Sequence, residues 1–135
     1  MVKITGIYEG EKHCELTHGP SLCKIETDAP KDNFGRGEAF SPTDLAAAAL
    51  GSCMMTVMGI YAEKSHIVLT GSRFSVEKHM KQNPRMIAEL IVQLDLPKSL
   101  SEMERETLED IALNCPVKLS LHPDIKLSIT FNYTI

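Results

Sequence analysis

From Leu45 to Ala62 the chain is apolar or small on every side of a helix, and no other stretch constrains the fold as strongly. Ser41-Pro42-Thr43-Asp44 in front of it is helix-start chemistry: a hydroxyl to cap free amides, proline at the first helical position, and an acid in the first turn. The helix is predicted to run from Pro42 to about Lys64. A surface helix of a monomer cannot be apolar all round, because its outer face would lie in water. At about 1.5 Å per residue the stretch barely approaches a bilayer core. Gly51, Ser52, Thr56 and Gly59 also interrupt it, so a buried helix is the better reading than a membrane span. With 135 residues the chain has the length of one domain, 1–135, and little else with which to wrap such a helix. A second copy of the chain is the simplest cover, and Ala46, Ala47, Gly51 and Ser52 would permit close helix approach.

Strand patterns flank this helix. Ile125, Leu127, Ile129, Phe131, Tyr133 and Ile135 alternate with polar residues, which predicts a terminal strand with one buried face. Met86, Ala88, Leu90, Val92, Leu94 and Leu96 alternate likewise, as does Phe74 to Met80. Gln82-Asn83-Pro84-Arg85 between them is turn chemistry, so 72–96 reads as a hairpin. Strand-like runs near 2–8, 12–18 and 21–27, parted by Glu9-Gly10-Glu11 and Gly19-Pro20, suggest an antiparallel meander. A second, amphipathic helix starts at Ser101, where Ser101 and Glu104 form a capping box, and Pro116 interrupts it. A short helical turn at 116–121 is expected to follow. The order is βββ-α-ββ-α-β, with no phosphate loop and no dinucleotide fingerprint.

Fourteen Lys and Arg against eighteen Asp and Glu leave a formal charge of -4, with no basic cluster, so nucleic acid is not an expected partner. The opening MVKITGIYEG has neither the positive start nor the apolar core of a signal peptide, and a cytoplasmic location is expected. In that reducing compartment the four cysteines, Cys14, Cys23, Cys53 and Cys115, are better read as chemistry than as a disulfide framework. Cys14 and Cys23, on adjacent strand-like runs, would face each other across a ladder; with His13 and His18 nearby they match no regular zinc spacing, and no metal is expected.

Cys53 lies mid-helix and Cys115 at the helix break before Pro116. Each alone reads equally well as a small core residue. Together they are what a peroxidatic and resolving pair needs: one sulfur is oxidised to a sulfenic acid and the other condenses with it. A thiol in apolar surroundings requires a nearby cation to ionise. Of the four arginines, Arg73, Arg85 and Arg105 read as solvated charges. Arg36, in the loop Asn33-Phe34-Gly35-Arg36-Gly37-Glu38, borders the helix start; the flanking glycines suggest an adaptable loop, and Glu38 is a candidate to orient the arginine. A plain surface-loop arginine is the competing reading.

The run Phe40-Ser41-Pro42-Thr43-Asp44-Leu45-Ala46-Ala47-Ala48-Ala49-Leu50-Gly51-Ser52-Cys53, with Asn114-Cys115-Pro116-Val117 some sixty residues on, resembles the two cysteine motifs of the OsmC/Ohr family. The resemblance, which extends to the element order over nearly the full chain, implies an α+β, OsmC-like fold. It implies antiparallel sheets around a long buried central helix, and two chains intertwined as a homodimer with its sites at the interface. By the same resemblance Cys53 corresponds to the peroxidatic and Cys115 to the resolving cysteine. The implied activity is reduction of organic hydroperoxides or hydrogen peroxide, with a dithiol as reductant and no metal or organic cofactor. Two features depart from the family pattern. Thr43 follows Pro42 where peroxidase members carry a glutamate, and no arginine precedes residue 30, where the first turn offers only Lys12. These departures keep two alternatives open: a non-catalytic protein binding an apolar ligand beside Met54, Met55 and Met58, and a redox sensor.

Overall fold

The computed structural model describes all residues, 1–135. In order they form β1 (Ile4–Gly10), β2 (His13–His18), β3 (Lys24–Asp28), a 3-10 turn (Lys31–Asn33), α1 (Pro42–Lys64), β4 (Arg73–Lys81), β5 (Met86–Leu96), α2 (Glu102–Leu113), α3 (Pro116–Ser120) and β6 (Lys126–Tyr133). The architecture is α+β, with one three-stranded sheet ordered β1-β2-β3 and another ordered β4-β5-β6. The chain divides into two compact units, Met1–Ala46 and Ala47–Ile135.

The first unit is the expected antiparallel meander. Its register sets Gly6, Leu16 and Ile25 in one row and Tyr8, Cys14 and Thr27 in the next, so one face carries the apolar side chains. Ile4, Tyr8 and Ile25 on that face are nonetheless exposed, and the buried residues of the unit are polar: Thr27, Asp28 and Ser41. The opposite face pairs charges, with Lys24 Nζ 2.7 Å from Glu15 and His13 directly across from Asp28. The Lys24 side chain is exposed, so water screens this pair. The α1 start is capped as expected: Asp44 N–H donates to Ser41 Oγ at 3.1 Å, and Ser41 N–H donates to the Asp44 carboxylate at 2.9 Å.

The second unit holds the hydrophobic core. Ala47, Leu50, Met54, Met58 and Ala62 line one side of α1, and Leu90, Val92, Leu94 and Leu96 line one face of β5, with Leu108 and Ala112 added from α2. Ile87, not Ala88, is the buried residue at the start of β5. His79 pairs with Glu89 and Met80 with Ile87, which leaves Ala88 as a bulge that reverses the alternation. The sheet is mixed, which corrects the expectation of antiparallel pairing throughout. β4 and β5 are an antiparallel hairpin, but β5 and β6 are parallel, because the α2–α3 crossover returns the chain in the same direction. Arg105 is not a solvated charge either. Its guanidinium lies 4.1 Å from the Tyr133 ring centroid and donates to the carbonyls of Leu100 and Lys98, partners that sequence periodicity cannot reveal.

Only one side of α1 is enclosed by its own chain: 33% of its most apolar window is buried, and Ile60 is 52% exposed. Length and composition alone would let this helix cross a membrane, but Gly51 shows it seated on protein. A Cβ at Gly51 would lie 2.6 Å from Phe74 Cε2 and 2.9 Å from Val76 Cγ2 on β4, so the glycine serves helix-to-sheet packing within the unit. Gly51→Ala is therefore expected to force the Phe74 ring aside and lower stability by about 1–3 kcal/mol. Urea unfolding of both proteins measures this; equal midpoints would mean that the contact relaxes without cost.

Candidate active site

Cys115 is fixed by the break between two helices. Asn114 closes α2 by donating its N–H to the carbonyls of Ala112 and Ile111, and its side-chain amide to Asp110 O at 2.8 Å. Pro116 disfavours helical geometry in the residue before it, and Cys115 is accordingly extended, with φ -66° and ψ 147°. That conformation makes Cys115 the N-cap of α3, where its sulfur accepts the Lys118 N–H at 3.4 Å. The side chain is wholly buried.

Cys53 occupies the turn of α1 between the buried Leu50 and Met54 and is half-buried. The two cysteines, 62 positions apart in sequence, come close enough for their side chains to interact. Burial pushes the Cys115 thiol above its ordinary pKa; the Lys118 and Val117 N–H groups pull it down, and the contact with Cys53 raises it further. The pair thus joins a protonated, enclosed thiol to one that is partly accessible.

Arg36 is held differently from the sequence expectation. Its Nη2 lies 3.7 Å from Asp28 Oδ1 and its Nη1 3.5 Å from Glu11 Oε2. Glu38 contributes to this group through its main chain, donating its N–H to Asp28 Oδ2 at 3.1 Å; the carboxylates beside the guanidinium are Asp28 and Glu11. The loop is also pinned where the glycines suggested adaptability. Gly35 N–H donates to Pro30 O at 2.9 Å and Gly37 N–H to Ala29 O at 3.2 Å, and a Cβ at Gly35 would overlap the Ala29 carbonyl. Lys12 sits in the β1–β2 turn with φ 61°, its N–H donating to Tyr8 Oη at 3.2 Å.

Asp28 and His13 escaped the sequence reading as partners. They lie 15 residues apart, and only the β2–β3 register sets them opposite each other, with His13 Nδ1 donating to Asp28 Oδ1 at 2.6 Å. Cys14 and Cys23 do not face each other: Cys14 pairs with Thr27, and the Cys23 carbonyl accepts the His18 N–H. The register is one that the turn at 19–23 imposes. His18 Nδ1 is instead hydrogen-bonded to Ser21 Oγ at 2.6 Å.

The family model described as OsmC-like protein matches residues 35–130. Among solved structures, a candidate osmotic stress induced and detoxification response protein of Psychrobacter arcticus 273-4 is 38% identical. It aligns over 98% of this chain and 96% of its own, with a TM-score of 0.93. An organic hydroperoxide resistance protein OsmC of Legionella pneumophila shares the fold at 20% identity and TM-score 0.73, over 98% and 96% of the two chains. One from Elizabethkingia anophelis does so at 15% identity and TM-score 0.78, over 99% and 96%. No curated protein matches the chain. The family model covers both cysteines and their surrounding motifs, and the chain belongs to the OsmC-like family.

Proposed function

We propose that this protein is a cytoplasmic, thiol-dependent peroxidase that works as a homodimer. The Cys53 thiolate attacks the O–O bond of an organic hydroperoxide or hydrogen peroxide; the leaving oxygen takes a proton and departs as alcohol or water, and Cys53 becomes a sulfenic acid. Cys115 then loses its proton, attacks the Cys53 sulfur and releases water, which leaves a disulfide. A dithiol reductant restores both thiols by exchange. The observation that carries this reading is the nearness of the buried Cys115 side chain to Cys53, which sets a resolving thiol beside the sulfur that would be oxidised. The names of the Legionella and Elizabethkingia proteins, organic hydroperoxide resistance proteins, support organic hydroperoxides as substrates.

Arg36 is the cation proposed to favour the Cys53 thiolate. The proposed dimer supplies cover for two apolar surfaces, the outer side of α1 and the face of the first sheet that bears Ile4, Tyr8 and Ile25. It would make the two units parts of a single domain completed by the second protomer. Thr43, in place of the family glutamate after Pro42, favours a second reading, a binding or redox-sensing protein with little turnover.

Turnover of cumene hydroperoxide and of hydrogen peroxide with dithiothreitol separates these readings. The wild type is expected to consume reductant, and Cys53→Ser to lose about a hundredfold or more of the rate. Cys115→Ser should accumulate a Cys53 sulfenic acid that dimedone traps. Absence of peroxide-dependent consumption in the wild type would favour the binding or sensing reading. For the dimer, sedimentation at micromolar concentration should give one species of twice the 15.0 kDa chain mass; a folded monomer would refute the covered helix.

A further inference from the structure

Outside the thiol pair, the most tightly held charge in the protein is Asp28. Its side chain is 2% exposed at the end of β3, and three groups converge on its carboxylate. His13 Nδ1 donates to Oδ1 at 2.6 Å, the Glu38 N–H donates to Oδ2 at 3.1 Å, and Arg36 Nη2 stands 3.7 Å from Oδ1. His13 also faces Glu26, with Nε2 3.7 Å from Oε1, and the field of Glu9 reaches it. The His13 hydrogen bond, ahead of the Glu38 N–H and the charges of His13 and Arg36, holds the Asp28 carboxyl below its ordinary range, while the same bond raises His13. Asp28 is therefore a fixed anion with a fixed direction.

The second carboxylate near Arg36 is of another kind. Glu11 is 80% exposed and its ion pair is screened by water, so it has neither the burial nor the hydrogen bonds that orient Asp28. The backbone supports the same anchor. Ala29 and Pro30, which follow Asp28 directly, accept the main-chain N–H groups of Gly37 and Gly35 on either side of Arg36.

We propose that Asp28, clamped by His13, is the positioning residue for Arg36. The inference rests on the reading of Arg36 as the cation that favours the Cys53 thiolate, and it assigns the orienting role to a residue that touches neither sulfur. The sign of the effect distinguishes positioning from proximity. Deleting an anion near a thiol by itself favours the thiolate and lowers its titration midpoint. Letting Arg36 drift away does the opposite.

The test is the pH dependence of Cys53 alkylation by iodoacetamide in the reduced full-length protein, followed by mass spectrometry of the Cys53 peptide. Arg36→Met is expected to raise the midpoint. Asp28→Asn should raise it too, and the rate at pH 7 should fall about tenfold for every pH unit that the midpoint rises. The Arg36→Met/Asp28→Asn double variant should go no further than Arg36→Met alone. If Asp28→Asn unfolds the chain, His13→Gln/Asp28→Asn replaces the ion pair by an amide pair and should give the same rise. A midpoint unchanged or lowered in the Asp28 variants, with Arg36→Met raised, overturns the positioning role and leaves Arg36 as the cation. An unchanged midpoint in Arg36→Met removes Arg36 as the cation, and the role of Asp28 falls with it.

Discussion

One side of α1 is enclosed, and the core of the second unit is built on that side. Its inner side, Ala47, Leu50, Met54, Met58 and Ala62, is sealed in the core. Its other side carries Ser52, Thr56, Glu63 and Lys64 among apolar residues, of which Ile60 and Ala49 stand open. An apolar surface of this extent is tolerated only where something covers it. Cys53 lies at the margin between the two sides, half-buried, so whatever covers the helix also sets the polarity around the proposed reacting sulfur.

The candidate residues of the two units have two kinds of support. Cys115 is placed by covalent geometry, since Pro116 forces the extended backbone that puts its sulfur at the head of α3. Arg36 is placed by a web of hydrogen bonds, with the glycines at 35 and 37 admitting a close backbone approach that any side chain at 35 would block. The first kind of support is rigid from local sequence alone. The second depends on β2 and β3 being paired, and so on the meander being formed.

This difference explains what could be read from sequence. The α1 start, the capping box at Ser101, the 72–96 hairpin and the break at Pro116 are local signals, and each lies within about two residues of its expected place. The contact between Cys53 and Cys115 was suggested by residue type and helix context, but distance along the chain holds no information about it. The pairing of His13 with Asp28 had no local signal, because a one-residue change of register would have turned one of them to the other face. The parallel β5–β6 pairing was hidden for a related reason: alternation shows which residues of a strand face inward, and says nothing of the direction in which it runs.

The position of β5 between β4 and β6 affects how the chain reaches this state. β4 and β5 are joined by a tight turn and can pair as soon as both have been synthesised, whereas β6 must arrive after the whole α2–α3 crossover. Until then one edge of β5, in a strand containing Ile87, Leu90, Ile91, Val92, Leu94 and Leu96, has unpaired main-chain groups. A ribosome-bound or truncated chain ending before Lys126 would therefore present a long aliphatic edge to its neighbours, and the last strand acts as a guard against self-association during synthesis.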